Sequence, residues 1–222
     1  MHLKRNKVPR RWAIPRKGTK FVVQPNDNRK NGISILIVMR DMLKIAKTRK
    51  EAKAIIHNKD ILVNNKTVTD EKFSVSLFDK INLKSSKKFY NVLYGKRKII
   101  LKEIPESEAK SKILKIVNKT ILGKDKFQIN LSDGRNFLTK EKYSVGDSIT
   151  FEINENKIGK TIPIKKGSEV IIISGKHLGK IGKIHDMDED GKSAIVEQED
   201  SKININLKNL IVTKWYNKNK YK

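Results

Sequence analysis

An excess of positive charge limits what this chain can fold into and what it can bind. Its 222 residues hold 50 Lys and Arg against 24 Asp and Glu, a formal net charge of +26 at pH 7. A compact chain with so many like charges repels itself until a polyanion neutralises it. Nucleic acid is the first such partner and an anionic membrane surface the second. The sequence lacks a basic amphipathic helix with an aromatic apolar face, which a membrane-surface protein needs, so the charge predicts nucleic-acid binding.

The positive charge is distributed unevenly along the chain. The net charge is +9 over 1–32, +5 over 33–85, +8 over 86–126, +2 over 127–166, −2 over 167–213 and +4 over 214–222. We therefore expect most phosphate contacts in the N-terminal arm, the middle and the tail. From the slightly acidic segment 167–213 we expect only local contacts.

The composition excludes several classes of protein. Hydrophobic residues make up 37% of the chain, which is enough for several thin cores but not for one thick enzyme-like core. With no cysteine, the chain has no disulfides, cysteine zinc sites or thiol nucleophiles. No apolar stretch approaches the roughly 20 residues that span a bilayer, and the basic N-terminus lacks the apolar region of a secretory signal. These features predict a soluble, cytoplasmic protein.

Residues 1–32 contain three prolines and little periodicity. This composition is typical of an extended arm without its own core. Trp12 and Phe21 are large apolar residues in this otherwise basic arm. Each of them either anchors the arm to a domain surface or stacks on an RNA base.

Helical signals follow the arm. Apolar residues recur with helical spacing over residues 34–46, which predicts a helix. Thr48 followed by Glu51 is a capping box and predicts a second helix. Basic residues crowd the start of that helix, where they oppose the helix dipole. This placement makes sense if phosphates approach the N–H groups at that end; the alternative is a solvated charged face.

Strand signals dominate the rest of the chain. Asn64-Asn65, which tolerate positive φ, join two short strands, and "FSVSLFDKINL" predicts a further strand. Between 90 and 166, "RKIILKEI" predicts a strand, "PESEAKSKILKI" a short helix, "FQINLSDGRNFLTKE" a hairpin that turns at Asp133-Gly134, and "YSVGDSITFEI" a strand pair around Gly146-Asp147.

A glycine-rich stretch, "GSEVIIISGKHLGKIGKI", begins at residue 167. Its glycines fit neither a P-loop nor a dinucleotide-binding fingerprint. We predict a buried strand, a loop permitted by Gly175 and Gly179, and a returning strand in which Gly182 allows a close approach by another backbone or an RNA sugar. The loop tip presents Lys176, His177 and Lys180, and we expect these to face RNA.

An acidic segment nearby resembles a calcium site. Asp186, Asp188, Asp190, Gly191 and Glu197 match the ligand and glycine positions of an EF-hand loop. An EF-hand needs a helix on each side, whereas a glycine interrupts the entry and the exit alternates like a strand. We therefore interpret the segment as an acidic hairpin turn ending at Asp190-Gly191.

The order of these pieces resembles one protein family. Four segments follow one another in the chain: "HLKRNKVPRRWAIPRKGTK", "RDMLKIAKTRKEAKAII", "ILVNNKTVTDEKFSVSLFDKI" and "GSEVIIISGKHLGKIGKI". In order and spacing they resemble the archaeal and eukaryotic small-subunit ribosomal protein family S4e, over nearly the whole chain. The short extension after residue 213 favours the archaeal form.

The resemblance implies an α+β, multidomain architecture with no active site. Its parts are a basic arm over 1–32, an S4-type RNA-binding domain (helix, helix, hairpin) over 33–89, a central β-rich domain over 90–166, a small five-stranded β-barrel of KOW type over 167–213 and a basic tail over 214–222. It implies a structural role in the small ribosomal subunit, with ribosomal RNA and neighbouring ribosomal proteins as partners. We expect no cofactor, metal, membrane or small-molecule substrate.

From charge and position we expect one set of side chains to contact RNA. The set is Lys4, Arg5, Lys7, Arg10, Arg11, Trp12, Arg16, Lys17, Lys20, Arg40, Lys44, Lys47, Arg49, Lys50, Lys53, Lys66, Lys96, Arg97, Lys98, Lys176, His177 and Lys180.

Two other functions compete with RNA binding in the small ribosomal subunit. A KOW-type transcription elongation factor needs a distinct α/β domain before its barrel. An S4-domain RNA-modifying enzyme needs a large catalytic domain with a nucleophilic Asp, and no segment after residue 85 predicts one.

Overall fold

The computed structural model describes residues 2–29, 31–95, 97–123, 126–188, 191–198 and 201–213. The chain divides into two compact units, Met1–Lys112 and Ile113–Lys222, and each is taken by itself below. The described residues form three five-stranded sheets and two two-stranded ones. No helix in these residues is long and apolar enough to cross a membrane.

The first unit combines short helices with one large sheet. Its strands are β1 (Leu3–Lys4), β2 (Phe21–Val22), β3 (Ile33–Ser34), β4 (Ile61–Val63), β5 (Lys66–Thr67), β6 (Ser74–Val75), β7 (Lys80–Leu83), β8 (Lys88–Tyr94) and β9 (Ile99–Ile104). Its helices are α1 (Ile35–Ile37), which continues as a π-helical turn over Val38–Met42, then α2 (Arg49–His57) and α3 (Glu106–Ala109), with a 3₁₀ turn at Arg5–Lys7. The large sheet has the order β5-β4-β7-β8-β9, while β1 pairs with β2 and β3 with β6.

The first predicted helix forms but is shorter than expected. Helical backbone runs from Ile35 to Met42, rather than over 34–46. Two residues after Met42, Lys44 adopts a φ of 56°. A helix cannot include this conformation, so the helix ends before Lys44. Every residue from Ile35 to Met39 is almost completely buried, as expected for a helix that is hydrophobic on all sides.

The second helix and its capping box are confirmed. The Glu51 N–H donates to the Thr48 hydroxyl at 3.2 Å, and the Glu51 carboxylate accepts from the Lys47 N–H at 2.8 Å. These two hydrogen bonds satisfy backbone donors that the helix itself leaves unpaired. The Lys47 N–H and the Thr48 hydroxyl also lower the pKa of Glu51.

The Asn64-Asn65 hairpin is also confirmed, with φ angles of 49° and 61°. The Asn64 side chain supports this conformation, because it donates to the Asp79 carboxylate at 2.7 Å and accepts from the Lys80 N–H at 3.0 Å. The segment predicted as one further strand forms two, β6 and β7. The backbone breaks between them at Phe78, where φ is 65°.

The large sheet continues past the boundary that the sequence suggested at residue 90. Strand β8 pairs with β7, with Lys80 opposite Asn91, and β9 pairs with β8 along its whole length. Val92, Leu93 and Tyr94 are buried. The hydrogen bonding and the buried side chains therefore place β8 and β9 with the two helices and the Asn64-Asn65 hairpin, in the unit that ends at Lys112.

The second unit contains two five-stranded sheets. The first has the order β12-β11-β10-β13-β14 and is formed by β10 (Ser111–Gly123), β11 (Lys126–Leu131), β12 (Asn136–Thr139), β13 (Ser148–Glu152) and β14 (Lys157–Ile162). The second has the order β18-β17-β16-β15-β19 and is formed by β15 (Glu169–Ile172), β16 (Ile181–Met187), β17 (Ser193–Gln198), β18 (Ser201–Asn206) and β19 (Leu210–Val212), with a 3₁₀ turn at Leu207–Asn209 before β19.

The predictions for residues 90–166 have mixed outcomes. The strand "RKIILKEI" and the hairpin at Asp133-Gly134 are confirmed. The helix predicted for "PESEAKSKILKI" forms only over Glu106–Ala109, because strand β10 already begins at Ser111. The strand pair around Gly146-Asp147 is wrong: only the residues after the turn form a strand, β13, which pairs with β10 and β14. The reason is that the Gly146 N–H donates to the Ile116 carbonyl at 3.0 Å, so this turn hydrogen bonds to β10.

Each sheet of the second unit covers its own core. Leu114, Ile116, Ile129 and Phe151 lie in the first core, whereas Val170, Ile184, Val196 and Val212 lie in the second. Lys115, from β10, is 6% exposed. Its ammonium donates to the carbonyls of Leu207, Lys208 and Leu210 at 2.5, 3.3 and 2.7 Å. Lys115 thus connects the β10 strand to the turn that precedes β19.

Candidate nucleic-acid interface

Lysines and arginines surround the start of α2, as the sequence predicted. Lys44, Lys47, Arg49, Lys50 and Lys53 are all exposed. Among the described residues, Lys44, Lys47 and Lys50 have no ion-pair partner, so their charges are available to a polyanion. These cations and the positive end of the helix dipole together favour a phosphate at this end.

Arg49 and Lys53 share a carboxylate within the protein. The Arg49 guanidinium donates to both carboxylate oxygens of Glu71, and the Lys53 ammonium lies 3.8 Å from the same group. Glu71 is only 7% exposed. The Arg49 hydrogen bond holds the pKa of the Glu71 carboxyl below its usual value. Arg49 therefore fixes the start of α2 against the segment before β6, in addition to contributing positive charge.

Arg40 is paired with its neighbour on the first helix. Its guanidinium donates to the Asp41 carboxylate at 2.8 Å, so part of its charge is neutralised locally. Lys66, on β5, is exposed beside the hairpin.

The arm is folded on itself rather than extended. Strands β1 and β2 pair antiparallel, with Leu3 opposite Val22 and Lys4 opposite Phe21. The Arg5 guanidinium donates to the Thr19 carbonyl at 2.7 Å, the Pro15 carbonyl at 2.8 Å and the Thr19 hydroxyl at 2.8 Å. The Arg5 side chain thus closes the loop between the two strands, and its predicted contact with RNA stays a prediction.

Trp12 anchors the arm to the rest of the first unit. It is 3% exposed, and its indole N–H donates to the Gly32 carbonyl at 3.2 Å. Of the two roles considered for Trp12, the structure favours the anchor, because a base cannot reach a ring that is already covered. Arg11 is half-buried and donates to the Asn31 side chain at 3.1 Å, so it also supports the arm.

Basic residues that are distant in sequence come together where the arm meets the turn between β8 and β9. The Ile99 N–H donates to the Arg11 carbonyl at 2.7 Å. This bond places the exposed Arg10 close to the exposed Arg97 and Lys98. Lys96 lies outside the described residues, as does the tail 214–222. The exposed cations among the described residues of the arm are Lys4, Lys7, Arg10, Arg16, Lys17, Lys20 and Arg29.

The glycine-rich stretch forms the predicted strand, loop and returning strand. Val170, Ile171 and Ile172 are buried on consecutive positions, and β16 returns antiparallel to β15. Gly175 and Gly179 have φ angles of 91° and 80°, which explains the need for glycine in this loop.

Gly182 allows a close backbone approach, as predicted. A Cβ at this position would lie 2.6 Å from the Glu197 carbonyl oxygen of β17, so the neighbouring strand occupies the space. At the loop tip Lys176 and Lys180 are exposed, and His177 is half-buried.

The acidic segment that resembles an EF-hand loop spans the β16–β17 hairpin, with Asp186 in β16 and Glu197 in β17. It is entered by β16 and left by β17, and the helices of an EF-hand are replaced by this hairpin. Asp186 pairs with Lys166 at 2.6 Å, which lowers the pKa of Asp186. Asp188 accepts from the Ser193 hydroxyl. Asp190 lies outside the described residues, and the described part of the chain contains no group of three or more His, Asp or Glu placed to hold a metal.

Comparisons with known proteins agree with the order of these elements. The S4 domain model matches residues 37–81, and the model of ribosomal family S4e matches residues 85–158. The small ribosomal subunit protein eS4 of Methanospirillum hungatei is 38% identical over 189 residues, which cover 82% of this chain and 78% of that protein. Its counterpart in Methanothermobacter thermautotrophicus is 37% identical and covers 82% of this chain and 77% of that protein.

A solved structure shows the same similarity. The crystal structure of the 30S ribosomal protein S4e from Thermoplasma acidophilum matches with a TM-score of 0.72 and 26% sequence identity. The match covers 82% of this chain and 95% of that one. With relatives that are more than one-third identical over most of their length, this chain belongs to the S4e family of ribosomal proteins.

Proposed function

We propose that this protein is a structural constituent of the small ribosomal subunit and binds ribosomal RNA. The observation that carries the proposal is the exposed basic surface of the first unit, on a fold that the S4 domain model matches. The relatives, named as small ribosomal subunit proteins, support the same role. In this proposal the protein lies in the cytoplasmic ribosome, beside other small-subunit proteins.

Binding in this proposal is chiefly electrostatic. The exposed lysines and arginines of the arm, of the start of α2 and of the turn at 97–98 approach separate phosphates and release their counterions. Arg5, Arg11, Trp12 and Arg49 hold these segments in place, so the cations are presented on a preorganised surface. Such contacts position the protein on folded RNA and carry little sequence information.

The second sheet of the second unit corresponds, in this proposal, to a small KOW-type barrel. Its five antiparallel strands and its glycine loop between β15 and β16 support the assignment. The segment 167–213 has a net charge of −2, so its contact with RNA is confined to the loop tip with Lys176, His177 and Lys180. Shape, rather than bulk charge, governs recognition there.

A pair of charge-matched variants tests the proposal. Lys47→Gln with Lys50→Gln removes two unpaired cations at α2, and Lys140→Gln with Lys142→Gln removes two exposed cations from the second unit. Affinity for small-subunit ribosomal RNA is measured over a salt series. We expect the first pair to lower the slope of log affinity against log salt by about 2 and the affinity about tenfold, and the second pair to change both less. Equal effects, or a wild-type protein that does not sediment with small subunits, would contradict the proposal.

A further inference from the structure

One aromatic ring is exposed on the hairpin of the arm. Phe21 has 47% of its surface exposed. Within the part of the chain that the structure describes, no other Phe, Tyr or Trp is exposed to this degree. Every other described aromatic side chain is buried or half-buried. An exposed aromatic ring in such a basic segment is therefore a candidate contact for a binding partner.

Basic side chains lie around this ring. The Lys20 ammonium lies 5.5 Å from the ring centroid, and the His2 ring lies 5.3 Å away at an interplanar angle of 48°. Lys4 is directly opposite Phe21 in the β1–β2 pair. The arm from 1 to 32 carries ten Lys and Arg against one acid. Any partner of the ring thus approaches through a strongly positive field.

The hairpin holds the ring in a fixed place. The Arg5 N–H donates to the Lys20 carbonyl at 3.0 Å, and the Thr19 hydroxyl donates to the Phe21 carbonyl at 3.1 Å. The same hydroxyl accepts from Arg5, whose guanidinium lies against Gly18. A Cβ at Gly18 would lie 3.1 Å from the centre of that guanidinium. These bonds fix the backbone at Phe21, while 47% of the residue's surface remains exposed.

We propose that Phe21 is a stacking platform for an unpaired RNA base, with Lys4 and Lys20 beside the phosphates that flank this base. This inference rests on the proposed function and names the kind of RNA feature that the arm recognises. An unpaired nucleotide offers a flat π surface and an adjacent negative charge together. An apolar protein surface offers only the first and leaves the surrounding cations desolvated without partners.

Three substitutions at Phe21 separate stacking from other roles. Full-length Phe21→Ala, Phe21→Leu and Phe21→Trp variants are compared with Leu138→Ala, which truncates an exposed residue of the second unit. The probe is a small-subunit ribosomal RNA fragment that retains its loops and bulges. We expect Phe21→Ala and Phe21→Leu to weaken binding about tenfold with an unchanged salt slope, because no phosphate contact is lost. Phe21→Trp and Leu138→Ala bind as the wild type does.

Photocrosslinking to the same RNA supplies a second measurement. We expect wild-type protein to crosslink through the peptide that contains Phe21 to a nucleotide in an unpaired region. Wild-type affinity of Phe21→Ala or Phe21→Leu, or a crosslink confined to paired nucleotides, overturns the inference while leaving the proposed function intact. If the Phe21 variants bind the RNA with wild-type affinity but are incorporated poorly into small subunits, the ring contacts a neighbouring protein. That result also overturns the inference. A wild-type protein that does not bind the RNA contradicts the proposed function itself.

Discussion

The two units of this protein use positive charge differently. The first, up to Lys112, has 29 Lys and Arg against 10 acids, whereas the second has 21 against 14. In the first unit, exposed cations line the arm and the start of α2, and among the described residues Lys44, Lys47 and Lys50 form no ion pair. In the second unit, Asp186 pairs with Lys166, and the segment 167–213 has a net charge of −2. The difference shows that charge for a polyanion is concentrated in one half of a chain that is basic as a whole.

Buried lysines show the same contrast on a smaller scale. In the first unit, the Lys112 ammonium lies 3.4 Å from the Asp79 carboxylate, and both are buried. In the second unit, Lys115 lies among three backbone carbonyls. Burial lowers the pKa of Lys115 to about 8. The Asp79 carboxylate balances the buried Lys112 ammonium, whereas backbone carbonyl dipoles surround the Lys115 ammonium.

The largest effect is expected from the anchor of the arm. Trp12→Ala removes a fully covered ring and its hydrogen bond to Gly32, and we expect it to destabilise the first unit by about 3–5 kcal/mol. Hydrogen exchange measured by mass spectrometry should accelerate in peptides from 2–112 and remain unchanged in peptides from 113–213. The matched control is Phe21→Ala in the same arm, which removes an exposed ring and should leave exchange nearly unchanged. Equal acceleration by both variants would contradict the distinction between anchor and platform.

The next effect concerns Lys115 and pH. The folded protein releases the Lys115 proton near pH 8, whereas the unfolded chain keeps it until about pH 10.5. Between these values the unfolded state binds more protons, so the stability contributed by Lys115 rises with pH and is lost again as pH falls through 8. Relative to Lys115→Met, we expect the wild type to gain up to about 3 kcal/mol from pH 8 to 10.5, measured by urea unfolding of both proteins. If the difference in unfolding free energy between the two proteins did not change with pH, the three carbonyls would offset the effect of burial on Lys115.

Much of the fold could be predicted from local signals. The capping box at Thr48 and Glu51, the left-handed Asn64-Asn65 turn and the loop between β15 and β16 each depend on residues close together in sequence. Those three features formed as expected. The extent of the first sheet could not be predicted, because the pairing of β8 with β7 depends on hydrogen bonds and burial that the periodicity of a single strand does not specify.

The candidate site was predictable as a charge distribution but not residue by residue. Trp12 and Phe21 occur in the same basic composition, and only the contact with Gly32, twenty residues away, distinguishes them. Likewise, Arg5 and Lys4 are adjacent and carry the same charge. Arg5 turns inward because Gly18 and the carbonyls of 15 and 19 fit its guanidinium, and a linear sequence does not show this fit.

The smallest effect is expected at the loop of the second unit. Lys176→Gln with Lys180→Gln removes the same charge as Lys47→Gln with Lys50→Gln, but from a segment whose net charge is already −2. Nearby acids weaken the local positive field and exposed charges are screened by salt, so we expect the loop pair to lower affinity for small-subunit RNA only about twofold, against about tenfold for the α2 pair. Filter binding at several salt concentrations measures both. If the loop pair proved as damaging as the α2 pair, shape at a single loop would outweigh the charge of a whole unit, and the contrast between the two units would no longer describe how this protein holds RNA.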